Sequence, residues 1–202
     1  MRRFVIPVLA MMVVITVSNL AVQYPFTPFG LGDVLTWGAF TYPFAFLVND
    51  LTNRSFGPRA ARSAIYAGFA TGVISSAILG APRIAIASGT AFLLGQLLDV
   101  LVFGRLRRLA WWRAPLAGSV VGSALDTTIF FSLAFAAVFS VLGPNMDFAL
   151  QSIGFWGLPV MAPRWVSWAG GDFVVKMISA LCLLVPYRAV LRRMPVYQPA
   201  GG

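Results

Sequence analysis

Six apolar blocks, most of them long enough to cross a bilayer, alternate with short connections that carry nearly all of the charge in this sequence. A spanning helix needs about 20 mostly apolar residues, and the blocks are continuous rather than alternating at short period. They run from Phe4 to Val22, Gly32 to about Asn53, Ala60 to Leu79, Ile84 to Gly104, Pro115 to Leu142 and Val166 to Leu191. Only 10% of the residues are charged, against about a quarter in soluble domains. The pattern predicts an all-α integral membrane protein: one transmembrane domain over residues 1–202 with six helices.

The first block follows Arg2 and Arg3, which also suits a signal peptide. It is long for such a segment, and no small-x-small cleavage site precedes Gln23-Tyr24-Pro25, so a retained helix is expected. Gly57-Pro58 ends one helix and starts another, and Gly80-Ala81-Pro82 turns the chain. Gly68, Gly72, Ser75 and Ser76 mark a helix-packing face. Residues 143–164 carry little charge and three prolines, a segment expected to be interfacial or re-entrant in part. Gln198 to Gly202 reads as a disordered tail.

Arginine distribution orients the helices. Arg2, Arg3, Arg54, Arg59, Arg62, Arg105, Arg107, Arg108, Arg113, Arg188, Arg192 and Arg193 fall on one side, twelve against Arg83 and Arg164 on the other. Positively charged loops stay in the cytoplasm, which puts both termini there. The net charge of +9 is therefore topogenic, and no nucleic-acid partner is expected. Trp111, Trp112, Trp156, Trp165 and Trp168 fall near the expected interfaces. No inverted repeat is visible between the halves.

The informative residues are polar ones inside the apolar blocks, because ionisable groups at membrane depth are costly. In Thr41 to Gly57, Asn49, Asp50 and Asn53 share a helical face. Pro43 removes one backbone donor ahead of them and leaves the Ala39 carbonyl unpaired. Gln96 and Asp99 share a face of the fourth helix. Asp126, with Ser119, Ser123 and Thr127 near its face, lies in the fifth. Lys176, the single lysine, follows Asp172 by one turn in the sixth. Asp126 and Lys176 sit at matched depths, each about 12 Å from the outer boundary, and are expected to pair. That pair serves either structure or function, and the Asn49–Asn53 face serves either a ligand or helix packing. Asp33 and Asp147 read as solvated.

Other chemistries are excluded. The chain has no His and no Glu, and Cys182 stands alone, so no thiol or histidine metal site, disulfide framework or cofactor is expected. There is no nucleophile–base arrangement and no phosphate-binding loop, so neither an enzyme nor an ATPase is expected.

The stretch YPFAFLVNDLTNRSFG resembles a signature close to YPFTFLVTDLVNEVFG of the queuosine precursor transporters, also called the vitamin uptake transporter family. GQLLDVLVF, SALDTTIFFSLAF and Lys176 followed by Val185-Pro186-Tyr187 resemble further family segments. Arg54 stands where many members have Glu, and Gly122-Ser123 where a Ser-Gln pair is common; both bear on substrate preference or coupling. The resemblance implies uptake of a 7-deazaguanine, preQ0 or preQ1, across a bacterial inner membrane. Asn49, Asp50, Asn53, Gln96, Asp99, Ser123, Asp126 and Lys176 are then the expected substrate-binding set, in which carboxylates accept paired N–H groups of a guanine-like edge. Membrane lipid is the other expected partner, and the oligomeric state stays open, a homodimer included. The alternatives are a substrate-capture subunit that needs separate ATPase partners, and a membrane scaffold or enzyme whose polar groups only pack.

Overall fold

A computed structural model describes residues 2–78, 82–154 and 159–194, without the side chains of 2–4 and 77. Within these the chain is mostly helical: α1 (Arg2–Ala21), α2 (Gly38–Thr41), α3 (Pro43–Phe56), α4 (Pro58–Ile78), α5 (Pro82–Leu106), α6 (Arg113–Phe135), α7 (Asp147–Leu150) and α8 (Arg164–Leu191). Leu79, the Gly80-Ala81 turn, Trp156 and the tail from Gln198 lie outside the described residues.

Three described helices are long and apolar enough to cross a membrane, Pro82–Leu106, Arg113–Phe135 and Arg164–Leu191, and a shorter apolar stretch covers Val5–Ala21. The bundle is apolar outside and polar inside. Ile6, Val13, Ile74, Ile78, Leu181 and Val185 are exposed, whereas Asn19, Asn49, Asp50, Gln96, Asp99 and Lys176 are buried. A surface of that kind in water would be an aggregation hazard, and against hydrocarbon it is the matched solvent.

Two of the expected blocks are not single helices. Residues 32–37 do not extend the second one, because the chain folds back before it. Phe26 and Trp37 donate backbone N–H groups to Leu35 and Tyr24, and the rings of Phe26, Trp37 and Phe40 cluster. Helix therefore begins at Gly38 and is interrupted between α2 and α3, where Pro43 supplies no N–H. Tyr42 keeps helical angles at the junction (φ −56, ψ −36), so the hydrogen-bond ladder breaks while the helical course continues. α3 ends at Gly57 (φ 85), whose N–H reaches the Asn53 carbonyl, and Pro58 opens α4. Glycine tolerates that angle and proline suits a first helical turn.

The fifth block stops at Phe135 instead of Leu142. Ala136 is extended (ψ 135) and residues 137–142 form a tighter 3-10 turn. The cause lies in α5. The buried Arg83 donates from Nε to the Leu133 carbonyl (2.9 Å) and from Nη2 to that of Ala136 (2.7 Å). Its Nη1 meets the carbonyls of Gly143 and Pro144 and Oδ1 of Asn145 at 3.1–3.2 Å. Helix-end carbonyls need partners, and one guanidinium supplies several. Beyond α7, a small antiparallel hairpin, β1 (Ser152–Gly154) with β2 (Met161–Pro163), is a local departure in a chain that is otherwise mostly helical, as expected.

α3 is the inner helix, in contact with α1, α4, α5, α6 and α8. Met11, Ile15, Ala45, Ala61, Ile65 and Val100 form the apolar core among α1, α3, α4 and α5. α5 and α6 approach most closely, because Gly95 and Gly122 face each other: a Cβ on Gly95 would lie 3.0 Å from the Gly122 carbonyl oxygen.

Removing the Arg83 guanidinium leaves several carbonyls without donors. Arg83→Met is expected to cost about 3 kcal/mol or more, read as a lower melting temperature of the purified protein. Arg62→Gln, at an exposed position, should stay within about 0.5 kcal/mol of the parent.

Candidate functional site

The buried polar residues form two groups. The first lies toward the arginine-rich end. Asn49, Asp50 and Asn53 are at most 3% exposed, and Asn49 and Asn53 face α5. Asn49 Nδ2 donates to Asp99 Oδ2 at 2.6 Å and to the Gln96 carbonyl at 3.3 Å, and Asn53 Nδ2 donates to the Val100 carbonyl at 3.4 Å. Asp50 borders a narrow space shared with Phe46, Ser119, Ser123, Lys176 and Tyr187. Asp99 fits because Gly118 and Gly122 of α6 leave room for its carboxylate; a Cβ on Gly118 would collide with Asp99 Oδ1.

The second group lines a cavity of about 570 Å³ toward the arginine-poor end. Its polar lining includes Asn19, Tyr42, Ser88, Asp126, Asp172 and Lys176, with Asp33, expected from sequence to be merely solvated, also on its wall, and its aromatic wall includes Phe92, Phe130, Phe131, Phe135, Phe148 and Trp168. Lys176 Nζ lies 2.6 Å from Asp126 Oδ2 and 2.6 Å from Asp172 Oδ2. It also donates to Thr127 Oγ1 at 3.2 Å, and that hydroxyl donates to Asp172 Oδ2 at 2.7 Å. Across the cavity, Tyr42 donates to Asn19 Oδ1 at 2.6 Å. The lysine side chain is 6% exposed, while those of Asp126 and Asp172 are 19% and 15% exposed. The carboxylates thus keep edges toward the cavity while the cation that neutralises one of them is sealed behind.

Of the residues expected from sequence, Asp126 and Lys176 are paired and border this cavity. Asn49, Asp50, Asn53, Gln96 and Asp99 do not border it, and Ser123 joins Asp50 at the narrow space. Lys176 alone among the expected set borders both. Sequence reasoning passed over Asn19, Tyr42 and the aromatic wall. Ser18-Asn19 is a polar pair late in the first apolar block, a signal of the same kind as Asp126. Aromatic residues in a membrane helix give none, since facing lipid and facing a cavity suit them equally.

A lysine held between two carboxylates changes what removal should do. Lys176→Met leaves two half-buried carboxylates without their shared cation, so it should destabilise by about 3 kcal/mol. Asp126→Asn leaves the Asp172 pair intact and should cost clearly less. Combining Asp126→Asn with Lys176→Met should recover part of the lysine loss. Thermal unfolding of the purified variants checks the order, and equal costs for both single variants would remove the three-membered arrangement.

The sequence profile of the family described as "Putative vitamin uptake transporter" matches residues 36–80 and 74–190. A protein of Escherichia coli (strain K12) named "Queuosine precursor transporter" is 34% identical over 206 residues, covering 91% of this chain and 83% of that protein. "Probable queuosine precursor transporter" of Haemophilus influenzae is 34% identical over 209 residues, covering 88% and 81%. A Bacillus subtilis protein of the same name is 32% identical over 151 residues, covering 60% of this chain and 65% of its own length. No solved structure matches significantly. The matched segments hold Asn49, Asp50, Asp99, Asp126, Asp172 and Lys176, and the chain belongs to the queuosine precursor transporter family, also called the vitamin uptake transporters.

Proposed function

We propose that this chain is a transporter, not an enzyme, that imports a queuosine precursor, a 7-deazaguanine such as preQ0 or preQ1, across a bacterial inner membrane. The observation that carries the reading is the union of an aromatic wall with the Asp126–Lys176–Asp172 group in one cavity. Its volume of about 570 Å³ suits a small ligand, since such pockets run to about 300–1,000 Å³. A deazaguanine presents an N–H and an exocyclic amine side by side, a pair that one carboxylate accepts. Its flat ring stacks on aromatic faces such as Phe130, Phe135 or Trp168. The names of the relatives support this substrate class.

On this reading the chain makes six passes, α1, the α2–α3 pair, α4, α5, α6 and α8, and the arginine distribution supports cytoplasmic termini. Arg83 leaves that count, because its side chain is buried in the protein, and the asymmetry sharpens. The cavity lies at the arginine-poor end, so this conformation faces outward. Asn49, Asp50, Asn53, Gln96, Asp99 and Ser123 lie beyond Lys176 on the inward path, positioned to meet substrate after it passes the lysine.

Asp126→Asn and Asp172→Asn should each weaken preQ0 or preQ1 binding about ten- to a hundredfold, the loss of one charge-assisted hydrogen bond. Titration of the purified variants measures the affinity, and uptake into liposomes measures transport. Unchanged affinity in folded variants would empty the cavity of its assigned role. For topology, a reporter fused after Arg193 should be cytoplasmic and a label on Asp147→Cys external. Both on one side would overturn the six-pass arrangement.

A further inference from the structure

A guanine-like edge needs one carboxylate, yet the cavity wall carries three. Asp33, Asp126 and Asp172 line it, and Lys176 is the one cation among the described residues that do. The ammonium lies 2.6 Å from Asp126 and 2.6 Å from Asp172, so it answers for one formal negative charge and two remain. The arginines at this end do not make up the difference from the wall. Arg83 is turned toward the carbonyls of Leu133, Ala136 and Gly143. Arg164 lies over the Phe148 ring at 3.8 Å and donates to Gln151. Neither borders the cavity. Even over the whole arginine-poor end, Asp33, Asp126, Asp147 and Asp172 stand against Arg83, Arg164 and Lys176. A low-dielectric cleft lined by an excess of one sign focuses its field and favours a ligand of the opposite sign.

Asp33 is placed differently from the other two carboxylates. It is exposed, in the link between α1 and α2, and no ion pair holds it among the described residues. The link is pinned by backbone bonds from Phe26 to Leu35 and from Trp37 to Tyr24. The two residues after Asp33 pack on α8: a Cβ on Gly171 would lie 3.1 Å from Val34 Cγ1 and 3.3 Å from Leu35 Cδ2. Asp33 therefore stands at the cavity mouth, beside the helix that carries Asp172 and Lys176. A flat bicycle that gives its N–H and amine edge to an inner carboxylate turns its five-membered ring back toward that mouth. The substituent on this ring is where the two precursors differ. preQ0 carries a neutral nitrile; preQ1 carries an aminomethyl group, an alkylammonium at neutral pH as lysine is.

We propose that the cavity selects a ligand with a positively charged side group, the aminomethyl over the nitrile, and that Asp33 at the mouth is the specificity-determining residue. This selection rests on the deazaguanine reading of the cavity. A nitrile leaves the excess carboxylates unanswered, whereas an ammonium pairs with Asp33 while the ring edge occupies Asp126 or Asp172.

Affinity of the purified full-length chain for preQ1 and for preQ0, titrated at low and at high NaCl, tests the selection. preQ1 should bind at least about tenfold more tightly at low salt. The ratio should shrink at high salt, because screening weakens a partly solvated pair. A series at position 33 then reads the sign of the charge at one exposed place. Asp33→Glu should keep the ratio, Asp33→Asn should cut it about threefold, and Asp33→Lys should cut it further. Asp147→Asn, at the same end but outside the cavity, should not move it. Lost packing would not follow that order. If the variants at position 33 do not fold, the salt dependence of the parent's ratio still decides. Binding of neither compound overturns the substrate reading and the selection with it. Equal affinity for both, or a ratio indifferent to salt or to the charge at position 33, overturns the selection alone.

Discussion

Charge inside an apolar-walled bundle must be neutralised locally, and Lys176 is where this structure meets that demand most directly. Its ammonium sits 2.6 Å from both Asp126 and Asp172, on α8 between two groups that belong to different helices. Attraction at that range in a poorly solvated interior is strong, and so is the cost of losing one member. α6 and α8 are therefore tied at the depth where the cavity ends. The same side chain closes the cavity floor and borders the space at Asp50.

The rest of the architecture follows from where polarity can be tolerated. The outer surface is apolar, so asparagines, aspartates and serines turn inward and meet across helix interfaces. Close approach of α5 and α6 depends on Gly95, Gly118 and Gly122, where no side chain intervenes and Asp99 finds room. Arg83 plays the corresponding part at the other end, ending α6 early and fixing the turn that follows. That early end puts Phe135 and Trp168 in edge-to-face contact at 5.3 Å, on the cavity wall.

The two polar groups differ in what they lack. The cavity group shares one ammonium between two carboxylates, whose edges are left toward open volume. The deeper group has unpartnered acceptors and almost no volume. Open volume beside charged and aromatic groups suits an organic ligand. Lys176 is the one residue that borders both the cavity and the narrow space at Asp50.

Much was legible in the sequence because lipid-exposed helices obey a simple rule: apolar length with rare, costly exceptions. Block positions, the Gly57-Pro58 boundary, the break ahead of Pro43 and the Asp126–Lys176 pair all follow from composition and helical spacing. The family is carried by local motifs around Asn49–Asp50 and Asp126. Which polar residues share a space is a different kind of fact. Asp50, Asp99, Asp126 and Asp172 are alike in sequence, each a carboxylate in an apolar helix. Only the packing of α3 against α5, α6 and α8 separates the first two from the last two, because helix rotation and depth are set by side-chain contacts between distant segments. The early end of α6 and the start of helix at Gly38 were likewise decided by tertiary contacts, an arginine from α5 in one case and a clustered aromatic turn in the other. Sequence by itself determined that charge would be buried here; the tertiary structure decided which charges it would be buried with.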